Sequence, residues 1–236
     1  MSANSFFPSI YSDKIDLMKL LKENPDFYSS SHELKIKKGE VLSQKNIADN
    51  LFKIESGFVE FGYLKDREFI FQFFLQPGEI LAFPEYGEDV PAEGCYIAIN
   101  EVRGWVIDMA FAQEVLLEKD PKNQIMMTHF LQTRRKFFRA SIRANLEPKQ
   151  RVYYCLMILI ELGFRHSKNS VKLPDFVTHD VLATMANVSK SLVLTVVKFL
   201  RDSEILASNK KPWVILDLSE LMYIMAEERI PTNNTI

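Results

Sequence analysis

Residues 177–206, VTHDVLATMANVSKSLVLTVVKFLRDSEIL, set two amphipathic segments back to back with only three or four residues between them. That joint limits the local fold more than any other feature of the chain. Thr178 is placed to cap a helix beginning at His179, its hydroxyl accepting a free backbone N–H. Leu182, Met185 and Ala186 form the inward face of this helix, and Ala183 is small enough for a second helix to cross closely. Asn187 ends it at a left-handed position, where asparagine ranks second to glycine. Val188 turns inward and Ser189 caps the second helix. There Leu192/Val193, Val196/Val197 and Leu200 recur at i, i+3/i+4 and i+7. Helices joined so abruptly cross at a large angle and leave the second one proud of the surface, a helix-turn-helix.

A helix held in this way enters the major groove of double-stranded DNA. Its outward residues are Lys190, Ser191, Leu194, Thr195 and Lys198, with Thr178 and Ser189 at the two caps. Lysine donates to guanine or to a phosphate, and serine and threonine reach base edges or phosphates. Beyond the helix, Ile205–Ala207 and Trp213–Leu216 read as two strands around a turn at Ser208–Pro212. The basic tip of this wing, Lys210 and Lys211, is suited to backbone contacts whose strength falls with salt.

Charge supports the same segment. The chain has 29 Lys/Arg against 31 Asp/Glu, a formal net charge of −2. Residues 1–133 hold 13 and 21 of these, a balance of −8, while residues 134–211 hold 15 and 6, a balance of +9. The remaining 25 residues hold 1 and 4, a balance of −3. A basic block inside an acidic chain is either a solvated face or a contact for nucleic acid.

Upstream the texture is β-rich. From Leu34 to about Asp108, alternating stretches such as Val59-Glu60-Phe61 and Phe69–Phe73 are broken at Lys38-Gly39, Ser56-Gly57, Pro77-Gly78 and Glu93-Gly94. This predicts an antiparallel β-roll, preceded by a helix over Asp13–Asn24. Met109–Leu117 reads as a short helix. A long helix then starts with Pro121 in its first turn and runs to Asn145, about 25 residues and roughly 37 Å. Its apolar residues exceed one stripe, so Met127, Phe130, Leu131, Phe137, Phe138 and Ile142 are expected to meet a second copy of the chain. The run Arg134-Arg135-Lys136 with Arg139 argues against complete burial. Asn145, Leu146, Glu147 and Pro148 form a hinge, and a further helix spans Lys149–Gly163. The expected division is 1–108 for an N-terminal helix and β-roll, 109–145 for the connecting and dimerisation helices, and 146–236 for the winged helix. The fold class is α+β.

The order roll, long helix, hinge and winged helix-turn-helix carries recurring marks: Lys38-Gly39-Glu40, Ser56-Gly57, Pro77-Gly78-Glu79, Tyr96-x-Ala98 and Thr178…Leu182-Ala183…Val188-Ser189…Val193…Leu200…Ile205-Leu206. Over about residues 30–216 the chain resembles the CRP/FNR superfamily of bacterial transcription regulators. The resemblance implies a homodimer paired through the long helix, a two-fold symmetric DNA site, an effector acting on the roll, and recruitment of RNA polymerase, hence an activator. In composition the chain is similar to the nucleotide-independent, PrfA-like branch typified by the Listeria virulence regulator.

Three departures qualify the resemblance. Nucleotide-binding members grip the phosphate with an Arg-Ser or Arg-Thr pair. The matching region, ILAFPEYGEDVPAEGCYIAIN, has no arginine and carries Glu85, Glu88, Asp89 and Glu93, so cAMP and cGMP are not expected. An iron–sulfur cluster needs four cysteines and only Cys95 and Cys155 exist. A haem ligand would have to be His129 or Cys95, and a lone helical histidine is more often solvated. In the reading helix, Lys190, Ser191 and Thr195 stand where the family often has Arg, Glu and Arg, which changes the half-site.

No cofactor is therefore expected, and a small-molecule effector is left unspecified. His166 and His179 lack metal-site spacing, and no nucleophile elbow, zinc-protease motif or phosphate-cradling loop occurs, so the chain is not expected to be an enzyme. No apolar run is long enough to span a bilayer and the N-terminus lacks a secretory pattern, which predicts a cytoplasmic protein with no membrane partner. The rival expectation is a sensory or scaffold protein whose degenerate winged helix no longer binds DNA.

Overall fold

The computed structural model describes residues 16–43, 49–82, 94–207 and 211–231. Their contacts divide the chain into two compact units. One combines the chain up to Leu64 with Phe74–Lys136, and the other combines Lys65–Phe73 with the chain from Phe137 onward.

In the first unit, α1 (Leu17–Lys22) is capped by the Asp16 carboxylate, which accepts from the Met18 and Lys19 amides. The helix is shorter than the expected Asp13–Asn24, of which 13–15 lie outside the described residues. The roll follows as β1 (Ser31–Ile36), β2 (Val41–Ser43), β3 (Asn50–Ser56), β4 (Val59–Lys65), β5 (Glu68–Leu75), β6 (Ile80–Ala82), β7 (Gly94–Ala98) and β8 (Val102–Asp108). They form two four-stranded sheets, ordered β1-β8-β3-β6 and β2-β7-β4-β5. Strand β8 pairs antiparallel with both β1 and β3, and β7 with both β2 and β4.

Three of the four expected breaks are left-handed turns, at Gly39, Gly57 and Gly78. Gly57 is required twice over: its φ is +89°, and a Cβ there would sit 2.4 Å from the Glu101 carbonyl oxygen. The fourth, Gly94, is instead the first residue of β7.

Alternation misplaces Glu60. The sequence puts it outward, yet it is 8% exposed while its neighbour Val59 is 1% exposed. Adjacent residues of a strand face opposite sides, so both faces of the interior strand β4 are covered here. Burial pushes the Glu60 carboxyl up to about 7. In β5 the Phe69–Phe73 stretch likewise lacks clean alternation, because only Phe71 is fully buried.

The apolar centre of this unit joins Leu17, Leu21 and Phe27 to Leu51, Ile107 and Phe111. Phe27 lies tilted against its neighbours, with ring centres 5.0 Å from Trp105 and 6.5 Å from Phe111. Helix α2 (Met109–Lys119) is capped by Asp108, whose carboxylate accepts from the Phe111 amide.

The long helix α3 spans Gln124–Ala144, 21 residues, rather than the expected 25 or so, which is about 31 Å of rise. Its start is set by Asp120, not by Pro121. The buried Asp120 carboxylate accepts from the amides of Gln124 at 2.9 Å and Ile125 at 2.8 Å, while Pro121 lies in the preceding turn and Asn123 is left-handed.

The second unit is built on α4 (Pro148–Glu161), with Pro148 in its first turn and a capping box between Glu147 and Gln150. Of the expected hinge, Asn145 and Leu146 form the turn, whereas Glu147 and Pro148 begin α4. The contacts part the units inside α3, between Lys136 and Phe137, not at 145–148. Nearly every residue of α4 from Val152 to Ile160 is buried, which gives α5 (His179–Ala186) and α6 (Lys190–Asp202) a common apolar support.

Strands β9 (Phe164–Arg165), β10 (Val171–Lys172) and β11 (Val214–Ile215) make a small sheet ordered β11-β10-β9. A last helix, α7 (Leu218–Glu227), is tied back to the start of α4. Lys149 pairs with Glu228 at 2.5 Å and the Gln150 amide donates to the Glu228 carbonyl at 2.8 Å. Neither β9, β10 nor α7 was foreseen.

Arg143, near the end of α3, is 6% exposed. It donates to the backbone carbonyls of Phe71 at 2.6 Å and Gln72 at 3.0 Å, with its guanidinium over the Phe71 ring. The second unit thus contains a strand segment from the middle of the roll sequence. No single helix among the described residues is long and apolar enough to cross a membrane; α5 and α6 pass such a test only jointly, and they are bent by 114° with their apolar faces buried in their own unit.

Candidate nucleic-acid interface

Both caps of the helix-turn-helix form as the residue types dictate. The Thr178 hydroxyl accepts from the Val181 amide at 3.1 Å, and the Ser189 hydroxyl accepts from the Leu192 amide. Asn187 is left-handed, φ 48°, which lets the chain reverse in three residues. The 114° bend that results follows from burying Leu182, Met185 and Ala186 on one helix and Val193, Val196, Val197 and Leu200 on the other. Leu192, expected in that stripe, is only half-buried.

The opposite face of α6 is open. Lys190, Ser191, Leu194, Thr195 and Lys198 are all exposed, as is Ser189 at the cap, while Thr178 is half-buried. Several of these side chains are already engaged. Lys190 pairs with Asp180 of α5 through both carboxylate oxygens, at 2.8 and 3.0 Å. The Thr195 hydroxyl donates to the Ser191 carbonyl at 3.0 Å, and the Ser189 and Ser191 hydroxyls share a 2.9 Å hydrogen bond. Hydroxyls bonded in this way keep a free lone pair for an incoming donor. Leu194 stands between these polar groups as an apolar contact point.

The wing is shorter than expected. Its arms meet in a single bridge, Leu206 to Ile215, supported by the Ala207 amide donating to the Val214 carbonyl at 2.8 Å. Strand β11 pairs with β10, because Val171 and Leu173, unremarked in the sequence, are buried beside it. Lys211 at the tip is exposed, and Lys210 lies outside the described residues.

Trp213, 3% exposed, anchors the wing base. Its ring lies edge-on to His179, centres 4.9 Å apart, and Arg201 sits over it at 5.5 Å. Burial, then Arg201 and Lys190, hold the His179 imidazole below its ordinary value.

On α3 the residues expected to pair are open to solvent. Met127, Phe130 and Leu131 are exposed on the part within the first unit, and Phe137 and Phe138 on the part within the second, with Ile142 half-buried. Of the basic run, Arg134 and Arg135 are exposed, Lys136 pairs with Glu79 at 2.5 Å, and Arg139 makes a two-pronged pair with Glu161 at 2.6 and 2.8 Å.

The first unit also holds a cleft of about 970 Å³ between α1, β3 and the start of α3, lined among others by Lys53, Gln132, His129 and Arg135. Burial, then Lys136 and Lys53, lower the His129 imidazole to about 4. The acidic residues Glu85, Glu88, Asp89 and Glu93 lie outside the described residues. Cys95 and Cys155 are both buried, and burial drives the Cys155 thiol up to about 12. Among the described residues no group of three or more His, Cys, Asp or Glu side chains is placed to hold a metal ion.

This arrangement of roll, long helix and winged helix recurs in solved structures. A transcriptional regulator of the CRP/FNR family from Thermus thermophilus superposes with a TM-score of 0.57 at 20% identity, over 83% of this chain and 98% of its own. The fold is that of the CRP/FNR regulators. A cyclic nucleotide-binding domain containing protein from Listeria monocytogenes gives 0.72 at 21% identity, covering 86% of this chain and 97% of that one. A CooA variant from Carboxydothermus hydrogenoformans gives 0.69 at 14% identity, over 90% and 97%. No protein-family model and no curated protein sequence matches the chain. Identities this low speak for the CRP/FNR-like fold alone.

Proposed function

We propose that this chain is a homodimeric, sequence-specific DNA-binding transcription regulator of the CRP/FNR type, not an enzyme, working in the cytoplasm. The observation that carries the reading is the outward face of α6: five side chains able to touch DNA stand exposed on a helix held at 114° to its partner. A helix so presented fits the major groove, and Lys198 and Lys211 flank it as phosphate contacts. The apolar stripe of α3 supports pairing with a second copy, which would set two reading helices against a two-fold symmetric site.

Activation through RNA polymerase and membership of the nucleotide-independent, PrfA-like branch come from the resemblance in sequence. Independence from cAMP comes from the missing arginine between Ile80 and Asn100; micromolar binding in a calorimeter would remove it. Selection of bound sequences from random duplex DNA, with and without cell extract, tests the whole reading. A palindromic consensus is expected. Recovery of no enriched sequence under either condition would favour a sensory or scaffold protein with a degenerate winged helix.

A further inference from the structure

We propose that Asp180 is a specificity-determining residue of the reading head: its carboxylate holds Lys190 on the reading face and penalises contact with phosphates at random. This deepens the DNA-binding reading and rests on it. Asp180 lies in the first turn of α5, and Lys190 is the first residue of α6. The sharp joint between the helices brings these two N-termini together, ten residues apart in sequence. The Lys190 ammonium sits 2.8 Å from one Asp180 oxygen and 3.0 Å from the other. Both side chains are exposed, 55% for Lys190 and 71% for Asp180, so the pair is presented to a ligand and not sealed in the core.

Free lysine is a flexible point charge that accepts any phosphate. Held in a carboxylate fork, it keeps donors only in the remaining directions and its charge is largely neutralised at range. A phosphate approaching this corner meets a carboxylate, and like charges brought together disfavour the wrong partner. A base edge offering an acceptor to Lys190, or an amino donor to Asp180, keeps the pair intact. Random duplex is thereby held weakly, while a matched site loses nothing. Thr178 caps α5 independently of Asp180, so the acid is not needed to start the helix.

The test uses the full-length chain and fluorescence anisotropy on two duplexes, one of random sequence and one from the selection above, across a salt series. Asp180→Asn should tighten random duplex roughly two- to fivefold, the range of one exposed ion pair. It should steepen the salt slope by about 0.9, as one more cation becomes available, and lower the ratio of selected to random affinity. In a Lys190→Gln background the same change should tighten random duplex much less. Equal tightening with and without Lys190 would overturn the pairing role, and an unchanged affinity ratio in Asp180→Asn would overturn the specificity role. Wild-type chain that selects a site while Asp180→Asn leaves it unaltered sinks this proposal alone; wild-type chain that binds no duplex sinks the DNA-binding reading with it. Thermal midpoints of the variants within a few degrees of wild type exclude a folding defect.

Discussion

Burial of Glu60 makes one carboxyl a determinant of how stability depends on pH. Its folded value, about 7, stands above the ordinary 4.5, so the folded chain binds a proton that the unfolded chain has lost. Stability from this group is complete below about 4.5 and is lost as pH rises through about 7, on the order of 2–3 kcal/mol in all. Glu60→Gln should therefore be the more stable form at pH 8 and converge on wild type near pH 4, read from denaturant midpoints; parallel curves would show that Glu60 is not the titrating group. His129 works in the opposite sense, its contribution lost as pH falls from 6.5 towards 4. On the reading face, Lys190→Ala with Thr195→Ala should flatten discrimination among sequences. Lys210→Ala with Lys211→Ala should instead weaken all duplexes alike and reduce the salt slope, each lost phosphate contact removing about 0.9. The exposed face of α6 was legible because caps and apolar spacing fix which side of the helix is left over. Asp180 was not, since an acid in a first turn is ordinary and nothing marks its partner ten residues away.

At the scale of elements, α3 is the one whose surface is least explained by its own chain. Phe138 is 66% exposed, whereas Phe137 also meets Phe73 with ring centres 5.1 Å apart. Phe138→Glu is therefore the cleaner probe: it should halve the mass in solution by light scattering while leaving the thermal midpoint of the chain nearly unchanged, and a mass that stays at two chains would take this helix out of the interface. Phe137→Glu should also lower the mass, at a cost to the fold. Arg134 falls within the same stripe, a placement by which a polar residue fixes register between paired helices. Most elements were legible from period and punctuation. Left-handed glycines at 39, 57 and 78 mark the roll's turns, and the caps at Thr178 and Ser189 mark the two helices of the helix-turn-helix. The elements that escaped have physical reasons. Strands β9 and β10 are two residues each, too short for alternation to register. Helix α7 is held by long-range partners, with Asn169 accepting from the Ser219 amide and bonding Asp217. The start of α3 moved because a buried Asp120 overrides the local preference of Pro121.

For the molecule as a whole, the sequence order was read correctly while the grouping of its pieces was not visible. Composition placed the change of texture near residue 108 and the hinge near 145, but the second unit recruits Lys65–Phe73 from the roll. The reason is Arg143. A nearly buried guanidinium must find acceptors, and its acceptors are the carbonyls of Phe71 and Gln72, more than 70 residues back along the chain. Arg143→Ala should destabilise the chain by about 2–4 kcal/mol in urea, and Arg143→Lys should recover only part of this, because an ammonium cannot span two carbonyls as the planar fork does. The path of the backbone then has a practical corollary. Cleaving the peptide between Lys136 and Phe137 would sever the polypeptide without separating the two folded bodies cleanly, for the longer, amino-terminal piece would carry away a staple belonging to the second unit. The two products should co-elute as a nicked complex, and the carboxyl-terminal piece expressed by itself should be the one that needs its missing nine residues supplied in trans.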